Sequence, residues 1–178
     1  MREAKAQNWL RIAEIILGSI IIIVSVIALS FSWLSLLNRI LFLSIALFLM
    51  GFTRIIKGIF LKYFSLALHV TDLKVAVIEL VLAVFIVTYP GLSSQMLVYL
   101  LFIPLLFHGI VRVAIYFTEK DLPSWLRRVL IAKGLITVLL TGVVVAFQPL
   151  NLPITVSVFS LVFMASGISR IALGIAGY

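Results

Sequence analysis

The hydrophobic residues of this chain fall into six long runs, separated by short stretches of turn-forming or charged residues. The runs are uniformly apolar and do not alternate, which is typical of helices in lipid and unlike the strands of a barrel. A bilayer core of about 30 Å needs roughly 20 such residues in a helix. We therefore predict an all-α integral membrane protein whose spanning helices lie near residues 12–31, 39–60, 75–89, 95–117, 129–147 and 152–175. The third run is short for a span unless its helix begins near Leu68.

The connections between these runs alternate in character. The first, third and fifth are short and nearly uncharged, and they contain Ser32, Pro90 and Pro149 respectively. The second and fourth are longer and carry most of the charged residues between the runs. Tight turns of this kind join antiparallel neighbours. Consecutive helices should therefore pair as three helical hairpins.

Glycine and arginine recur at one fixed interval. In three of the runs a glycine stands three residues before an arginine, and each residue type recurs every 58 positions. The glycines are Gly51, Gly109 and Gly167, and the arginines are Arg54, Arg112 and Arg170. The first helices of the hairpins carry small residues at the same interval, namely Gly18, Ala76 and Gly134. A two-helix unit returns the chain to its starting side, so we interpret the chain as one transmembrane domain of three parallel repeats, near residues 10–62, 68–120 and 126–178.

Pairs of glycines mark the expected helix contacts. Gly51 and Gly58 are seven residues apart, as are Gly167 and Gly174, so each pair shares one helix face. Such faces let helices approach closely in lipid, where packing replaces the hydrophobic drive. The second repeat has Tyr116 at the second position, and its contact should be wider. The residues predicted to serve helix packing are Gly18, Gly51, Gly58, Gly109, Gly134, Gly167 and Gly174.

Composition and charge support a membrane location and suggest an orientation. The chain is 64% hydrophobic and 11% charged, whereas a soluble domain is about half apolar and a quarter charged. The net charge of +8 does not indicate nucleic-acid binding, because the basic residues bracket apolar runs. Of 14 Lys and Arg, all but Arg39 lie at the N-terminus, in the two long connections or near the adjoining helix ends. The positive-inside rule then predicts that both termini lie in the cytoplasm, and we expect the membrane to be the plasma membrane.

Ionisable residues inside the runs are the candidate functional residues, because charge is costly in lipid. The three repeated arginines should stand about 9–12 Å inside the cytoplasmic ends of their helices. They could snorkel to the membrane surface. Alternatively, they could form a polar cluster with Glu14, Glu79 and Lys133, with Arg112 as the expected partner of Glu79. Glu14, Glu79 and Lys133 do not align with one another in the repeat.

His108 lies deeper than the arginines and is most simply a neutral histidine bonded to a neighbouring helix, although its ordinary pKa would also suit a pH-responsive group. The sequence contains no metal-ligand spacing, phosphate loop or nucleophile elbow. We therefore expect no catalytic residues, no metal and no cofactor.

The repeat resembles that of the HdeD family of small membrane proteins, which have six helices built from repeated helical pairs. Each pair in that family has a glycine in the first helix, a proline at the outer turn and a Gly-x-x-x-hydrophobic returning helix. The residues that carry the resemblance here are Gly18, Gly134, Pro90, Pro149, Gly51, Gly109 and Gly167. Ala76 and Ser32 depart from the pattern. The resemblance implies a link to acid or general stress resistance, and it supplies no site residues.

Three functions remain open from the sequence. The first is a non-enzymatic membrane protein of the HdeD type, in stress tolerance or envelope maintenance. The second is a small anion or solute transporter or channel, because a ring of arginines at an inner mouth would favour anions. The third is an accessory subunit of a larger membrane complex. The expected partners are the lipid bilayer and either a second copy of the chain or such a complex, and not nucleic acid.

Overall fold

The computed structural model describes residues 8–30, 34–60, 66–118, 124–147 and 151–176, and in these ranges it contains six α-helices and no strand. The helices are α1 (Asn8–Ser30), α2 (Leu36–Phe60), α3 (Leu66–Thr88), α4 (Ser94–Thr118), α5 (Ser124–Phe147) and α6 (Leu152–Ala176). The all-α prediction is confirmed, and the third helix begins at Leu66. The predicted turn residues Ser32 and Pro149 lie outside the described residues, whereas Pro90 lies in the turn between α3 and α4.

Four of the helices, α1, α2, α4 and α6, are long and apolar enough to cross a membrane. Large aliphatic side chains face outward along them, as Ile23 does with 58% of its surface exposed. Helices α3 and α5 have 23 and 24 residues, but α3 contains Asp72, Lys74 and Glu79, and α5 contains Arg127, Arg128 and Lys133. That α3 and α5 also cross the membrane stays a prediction, as does the side on which the termini lie.

The helices form a closed ring around a central trio. Helices α2, α4 and α6 contact one another, while α1 packs between α6 and α2, α3 between α2 and α4, and α5 between α4 and α6. The most extensive contacts join α1 to α6, α2 to α3, and α4 to α5. The tightest packing is therefore between consecutive hairpins, with α6 and α1 closing the ring, and not within the hairpins.

Two ends of this bundle differ in chemistry. At the charged end, α1, α3 and α5 begin and α2, α4 and α6 finish. Here Arg11 Nε donates to the Gly174 carbonyl at 3.1 Å, and Arg127 Nη2 donates to the Tyr116 carbonyl at 3.1 Å. Both contacts place a cation on the last turn of a neighbouring helix, where the helix dipole favours it. The opposite end, which holds the short turns, is called the turn end below.

The central helices bury one side chain each in successive layers. Three of these layers are apolar and fully buried: Ile40, Val98 and Val156; Leu43, Leu101 and Phe159; Leu47, Leu105 and Phe163. The members of each layer are 58 residues apart, and the layers follow one another at steps of three and four residues. This spacing is that of a coiled-coil core. The axis of the bundle is thus filled with apolar side chains toward the turn end.

Small residues at the 58-residue interval form the closest helix crossings. A Cβ atom at Gly167 would lie 2.7 Å from the Gly18 carbonyl oxygen, and one at Gly109 would lie 3.1 Å from that of Gly134. At Gly51 it would lie 2.9 Å from the carbonyl oxygen of Ala76. The three crossings are equivalent, and each requires two backbones to approach within the space that a side chain would fill.

The remaining glycines extend two of these crossings. A Cβ atom at Gly174 would lie 3.0 Å from the Arg11 carbonyl oxygen on α1, and one at Gly58 would lie 3.4 Å from Leu73 on α3. The equivalent position on α4 is Tyr116, whose ring lies under the Arg127 guanidinium at 4.9 Å. An aromatic ring and a stacked arginine therefore occupy the contact between α4 and α5 at this level.

The helices that follow the turns begin with equivalent caps. Ser35, Ser93 and Asn151 are 58 residues apart and directly precede α2, α4 and α6 respectively. In each case the side-chain oxygen accepts the amide hydrogen of the residue three positions on, at 3.3, 3.3 and 3.2 Å. These bonds satisfy amide groups that helix starts leave unpaired. The repeat therefore sets helix starts as well as helix crossings.

Candidate functional site

The three repeated arginines form one layer of the central core. Each stands six residues before the last residue of its helix, because α2, α4 and α6 end at Phe60, Thr118 and Ala176. At 1.5 Å per residue this depth is about 9 Å from the charged end. The next layer toward the turn end consists of Met50, His108 and Ser166, again at the 58-residue interval. Three cations on neighbouring helices repel one another unless anions lie among them.

The first set of partners is the Arg54 cluster, which consists of Arg54, Asp72, Glu79 and His108. Arg54 Nη1 lies 3.3 Å from Asp72 Oδ1 and 3.5 Å from Glu79 Oε1. Arg54 Nη2 also contacts His108 Nδ1, which lies 3.2 Å from Glu79 Oε1. The cluster joins α2, α3 and α4, and Glu79, His108 and Arg54 have 0%, 1% and 3% of their surface exposed.

The second set is the Glu14 cluster, which consists of Glu14, Lys57 and Arg170. Glu14 Oε1 lies 3.2 Å from Arg170 Nη1 and 3.4 Å from Lys57 Nζ. Arg170 Nη2 donates to the Met50 carbonyl at 3.1 Å. The cluster therefore connects α1, α6 and α2. A single buried carboxylate here neutralises one of two cations.

The third arginine has no such set, and its surroundings are called the Arg112 sector, formed by α4, α5 and α6. No ion pair joins Arg112 or Lys133 to a carboxylate anywhere in the described ranges. Buried polar atoms without a hydrogen-bond partner in the described ranges occur both here, at Arg112 Nε and Ser166 Oγ, and in the Arg54 cluster, so the difference lies in the ion pairs. Two of the three repeated arginines thus form ion pairs with carboxylates, and the third, in what we call the unpaired sector, does not.

One position of the repeat explains why Arg112 lacks a carboxylate partner. Glu14 and Asp72 are 58 residues apart, and the third member of the series is Leu130. Each carboxylate lies on the outer helix that crosses the helix of its arginine. Leu130 is buried with 5% of its surface exposed, in a cluster with Val111 and Ile115. The third repeat therefore has a hydrocarbon side chain where the first two have a carboxylate.

The structure brings together most of the predicted polar residues but changes their pairing. The predicted partner of Glu79 was Arg112, and this was wrong, because Glu79 contacts Arg54 and His108 instead. The physical reason is that α3 packs most extensively on α2, from the preceding hairpin. Snorkelling does not describe Arg54 or Arg170, since both are buried in ion pairs. His108 bonds to neighbouring helices, in agreement with the simpler interpretation of it.

Sequence reasoning missed two members of these clusters. Asp72 and Lys57 were counted as part of the charged stretches near helix ends, yet both are in ion pairs with the predicted residues. The signal for Asp72 was available, because it lies one repeat interval after Glu14. No comparable signal exists for Lys57, whose equivalents in the other repeats are Ile115 and Leu173.

The arrangement suits ion pairing and proton exchange more than ligand chemistry. His, Asp and Glu side chains of the described segments do not form a group of three that could hold a metal ion. Two shallow cavities lie between helices, one of about 220 Å³ beside Ser44 and Thr88 and one of about 240 Å³ beside Lys133 and Thr137. Neither is lined by the Arg54 or Glu14 clusters.

One family comparison bears on these residues. Residues 74–147 match the DUF308 family, which is described as a short repeat of unknown function. The matched segment contains Glu79, His108, Arg112 and Lys133. HdeD proteins carry this repeat, although no named relative identifies the chain as HdeD. No curated protein and no solved structure matches the chain. The family match and the four apolar helices together indicate a membrane protein.

Proposed function

We propose that the chain is a non-enzymatic, multi-pass protein of the plasma membrane that supports tolerance of acid or a related envelope stress, as the HdeD resemblance implies. In this proposal both termini and the charged end face the cytoplasm. The charge distribution supports that orientation, since Arg39 is the single cation assigned to the other side. The DUF308 match supports the choice of family.

The observation that carries the proposal is the position of His108 Nδ1 between a donor and an acceptor. Arg54 Nη2 can only donate to this nitrogen, whereas an ionised Glu79 can only accept from it. A ring nitrogen cannot accept and donate at once. The proton therefore determines whether His108 bonds to α2 through Arg54 or to α3 through Glu79.

We expect the packing of three helices to depend on this proton. A proton on His108 Nδ1 favours Glu79 and leaves Arg54 to Asp72, which is already 3.3 Å away. Without that proton, Arg54 donates to the ring. The other charges acting on His108 are those of Lys133, Arg112 and Arg170, from α5, α4 and α6. Glu79 is the carboxylate in contact with the His108 ring, at 3.2 Å, so it is the group that a protonated His108 would bind.

Acid survival tests this proposal in the native host. Cells that lack the gene should lose viability in an acid challenge, and the wild-type gene should restore it. Glu79→Gln and His108→Phe should fail to restore it while reaching the membrane in normal amounts. Met50→Leu is the matched control, because it changes the equivalent buried position without removing a titratable group. Full survival of the deletion strain, or full rescue by both cluster variants, would refute the proposal.

The transporter and subunit alternatives have less structural support. An anion path through the arginine layer would have to open the three apolar layers that fill the axis toward the turn end. Flux of chloride or protons into liposomes, lost on substitution of Arg54, would favour that alternative. Stoichiometric co-purification of another membrane protein in mild detergent would favour an accessory subunit.

A further inference from the structure

Among the described residues, no carboxylate pairs with the cations of the Arg112 sector. The three carboxylates in the described ranges are Glu14, Asp72 and Glu79, and all of them belong to the two paired clusters. Leu130 takes the place of the carboxylate that would neutralise Arg112. Buried cations without partners are rare in lipid, because each loses its hydration without gaining an ion pair. An anion from outside the described residues would complete this sector.

Lys133 adds a second cation to the same sector. Its equivalents in the first two repeats are Leu17 and Val75, so this charge is specific to the third repeat. The sector that lost a carboxylate has therefore also gained a lysine.

A groove between α5 and α6 leads to Lys133 from the outer surface. It has a volume of about 240 Å³, and it lies where contacts between adjacent helices of the ring are least extensive. Its polar lining residues are Lys133, Thr137 and Ser169. Its apolar lining residues are Val129, Ala132, Ile136, Val162 and Ala165. The groove thus combines a cation with apolar walls on a face where α5 and α6 present exposed aliphatic side chains.

We propose that this groove binds an anionic phospholipid, with the headgroup phosphate at Lys133 and an acyl chain along the apolar walls. The charge of Arg112 on the neighbouring helix strengthens the attraction for the phosphate. Basic pockets between spanning helices bind anionic headgroups through the same combination of charge and depth. A soluble anion would satisfy the charge but would leave the apolar walls without a partner. The proposal does not depend on the role in acid tolerance.

Lipid association measured on the whole protein tests this site. The protein is reconstituted in phosphatidylcholine bilayers, and the association of spin-labelled phosphatidylglycerol is compared with that of spin-labelled phosphatidylcholine. We expect the wild type to prefer phosphatidylglycerol by about fivefold or more at one site, since one basic residue near anionic lipid contributes about 1 kcal/mol. Lys133→Met should remove most of this preference while its side chain keeps the apolar stem in place.

Two further variants separate this groove from general surface charge. Lys57→Met removes a lysine near the same end of the bundle, and it should leave the preference unchanged because Lys57 is paired with Glu14. Leu130→Glu supplies the missing carboxylate, and it should reduce the preference as Lys133→Met does. Because Leu130 does not line the groove, Leu130→Glu tests whether positive charge holds the lipid without altering the groove itself.

The results that would overturn the proposal are distinct. Equal association of the two lipids with the wild type would show that there is no anionic-lipid site. An equal loss in Lys57→Met would assign the preference to surface charge in general. Displacement of spin-labelled phosphatidylglycerol by millimolar inorganic phosphate would show a soluble-anion site in place of a lipid site.

Discussion

The Glu14 cluster and the Arg112 sector occupy equivalent places in the repeat, but only the first contains a carboxylate that pairs with its arginine. Both begin with an arginine six residues from a helix end, next to a glycine crossing of nearly identical geometry. Where α1 supplies Glu14, α5 supplies Leu130 and, three residues later, Lys133. The backbone scaffold is therefore kept from repeat to repeat while the polar chemistry changes. Function is more readily sought in what differs between repeats than in what they share.

The largest effect is expected from removing the carboxylate of the Glu14 cluster. Glu14→Gln leaves the buried Arg170 and the partly exposed Lys57 without an anion, and breaking the buried pair costs about 3–5 kcal/mol of unfolding free energy. The measurement is unfolding in mixed micelles followed by circular dichroism. Leu130→Met, at the equivalent position of the unpaired sector, is volume-conserving and should cost less than about 1.5 kcal/mol. Similar losses in the two variants would contradict the contrast between the sectors.

The second largest loss of stability is expected at a glycine crossing, a feature that all three repeats share. Gly167→Ala places a methyl group 2.7 Å from the Gly18 carbonyl oxygen and 2.6 Å from Ile22 Cγ1, so the helices must separate. Overpacking of this kind costs about 1–3 kcal/mol. Gly142→Ala is the matched control, because a Cβ atom there meets nothing within 4 Å. It should be neutral or stabilise α5 by up to about 1 kcal/mol. Equal stability of the two variants would show that the crossing is not tight.

Restoring the carboxylate should partly convert the unpaired sector into a paired one. Leu130→Glu and Leu130→Gln lose the same packing, but only the glutamate can pair with Arg112. In phosphatidylcholine, which carries no net charge, we expect the Glu variant to be more stable than the Gln variant by about 1.5 kcal/mol, the usual value of a hydrogen bond to a charged group. A Gln variant as stable as the Glu variant would mean that Arg112 does not sense this position.

The smallest effect concerns the one arginine near the turn end. Arg39 Nε donates to the Ala28 carbonyl at 2.6 Å and Nη2 donates to Ser157 Oγ at 2.8 Å, so it links α2 to α1 and α6 without any carboxylate. Arg39→Met keeps the apolar stem and should cost about 1 kcal/mol. Asn38→Met, on the exposed side of the same turn, should have no measurable effect. A loss as large as that of Glu14→Gln would make the two ends energetically alike.

Much of the scaffold could be predicted from intervals in the sequence, whereas the pairing of side chains could not. The 58-residue spacing of Gly51, Gly109 and Gly167 indicates equivalent helix contacts whatever the partner is. It does not say whether α3 packs on α4, its hairpin partner, or on α2. The prediction of an Arg112–Glu79 pair assumed the former, and the structure shows that Glu79 pairs with Arg54 on α2. Contacts between hairpins depend on the closure of the whole ring, which no local pattern encodes.

The helix caps and core layers could likewise be predicted from the sequence, whereas the partners of the charged side chains could not. Ser35, Ser93 and Asn151 are recognisable N-cap residues at the repeat interval, and they could have replaced the prolines as markers of the turns. The layers of the central core also follow a heptad pattern that is readable in sequence. The difference between Glu14 and Leu130 has meaning only once each is known to lie on a helix that crosses the helix of an arginine from another hairpin.

The most direct test of the account is a double-mutant cycle on Glu14 and Arg170, with Glu14→Gln, Arg170→Met and the double variant compared in unfolding free energy. We expect a coupling of about 2 kcal/mol, because Glu14→Gln leaves Arg170 buried without its anion, and that charge is absent from the double variant. Additivity within about 0.5 kcal/mol would show that the two side chains do not interact. The arginine layer would then not be held by carboxylates from the neighbouring outer helices.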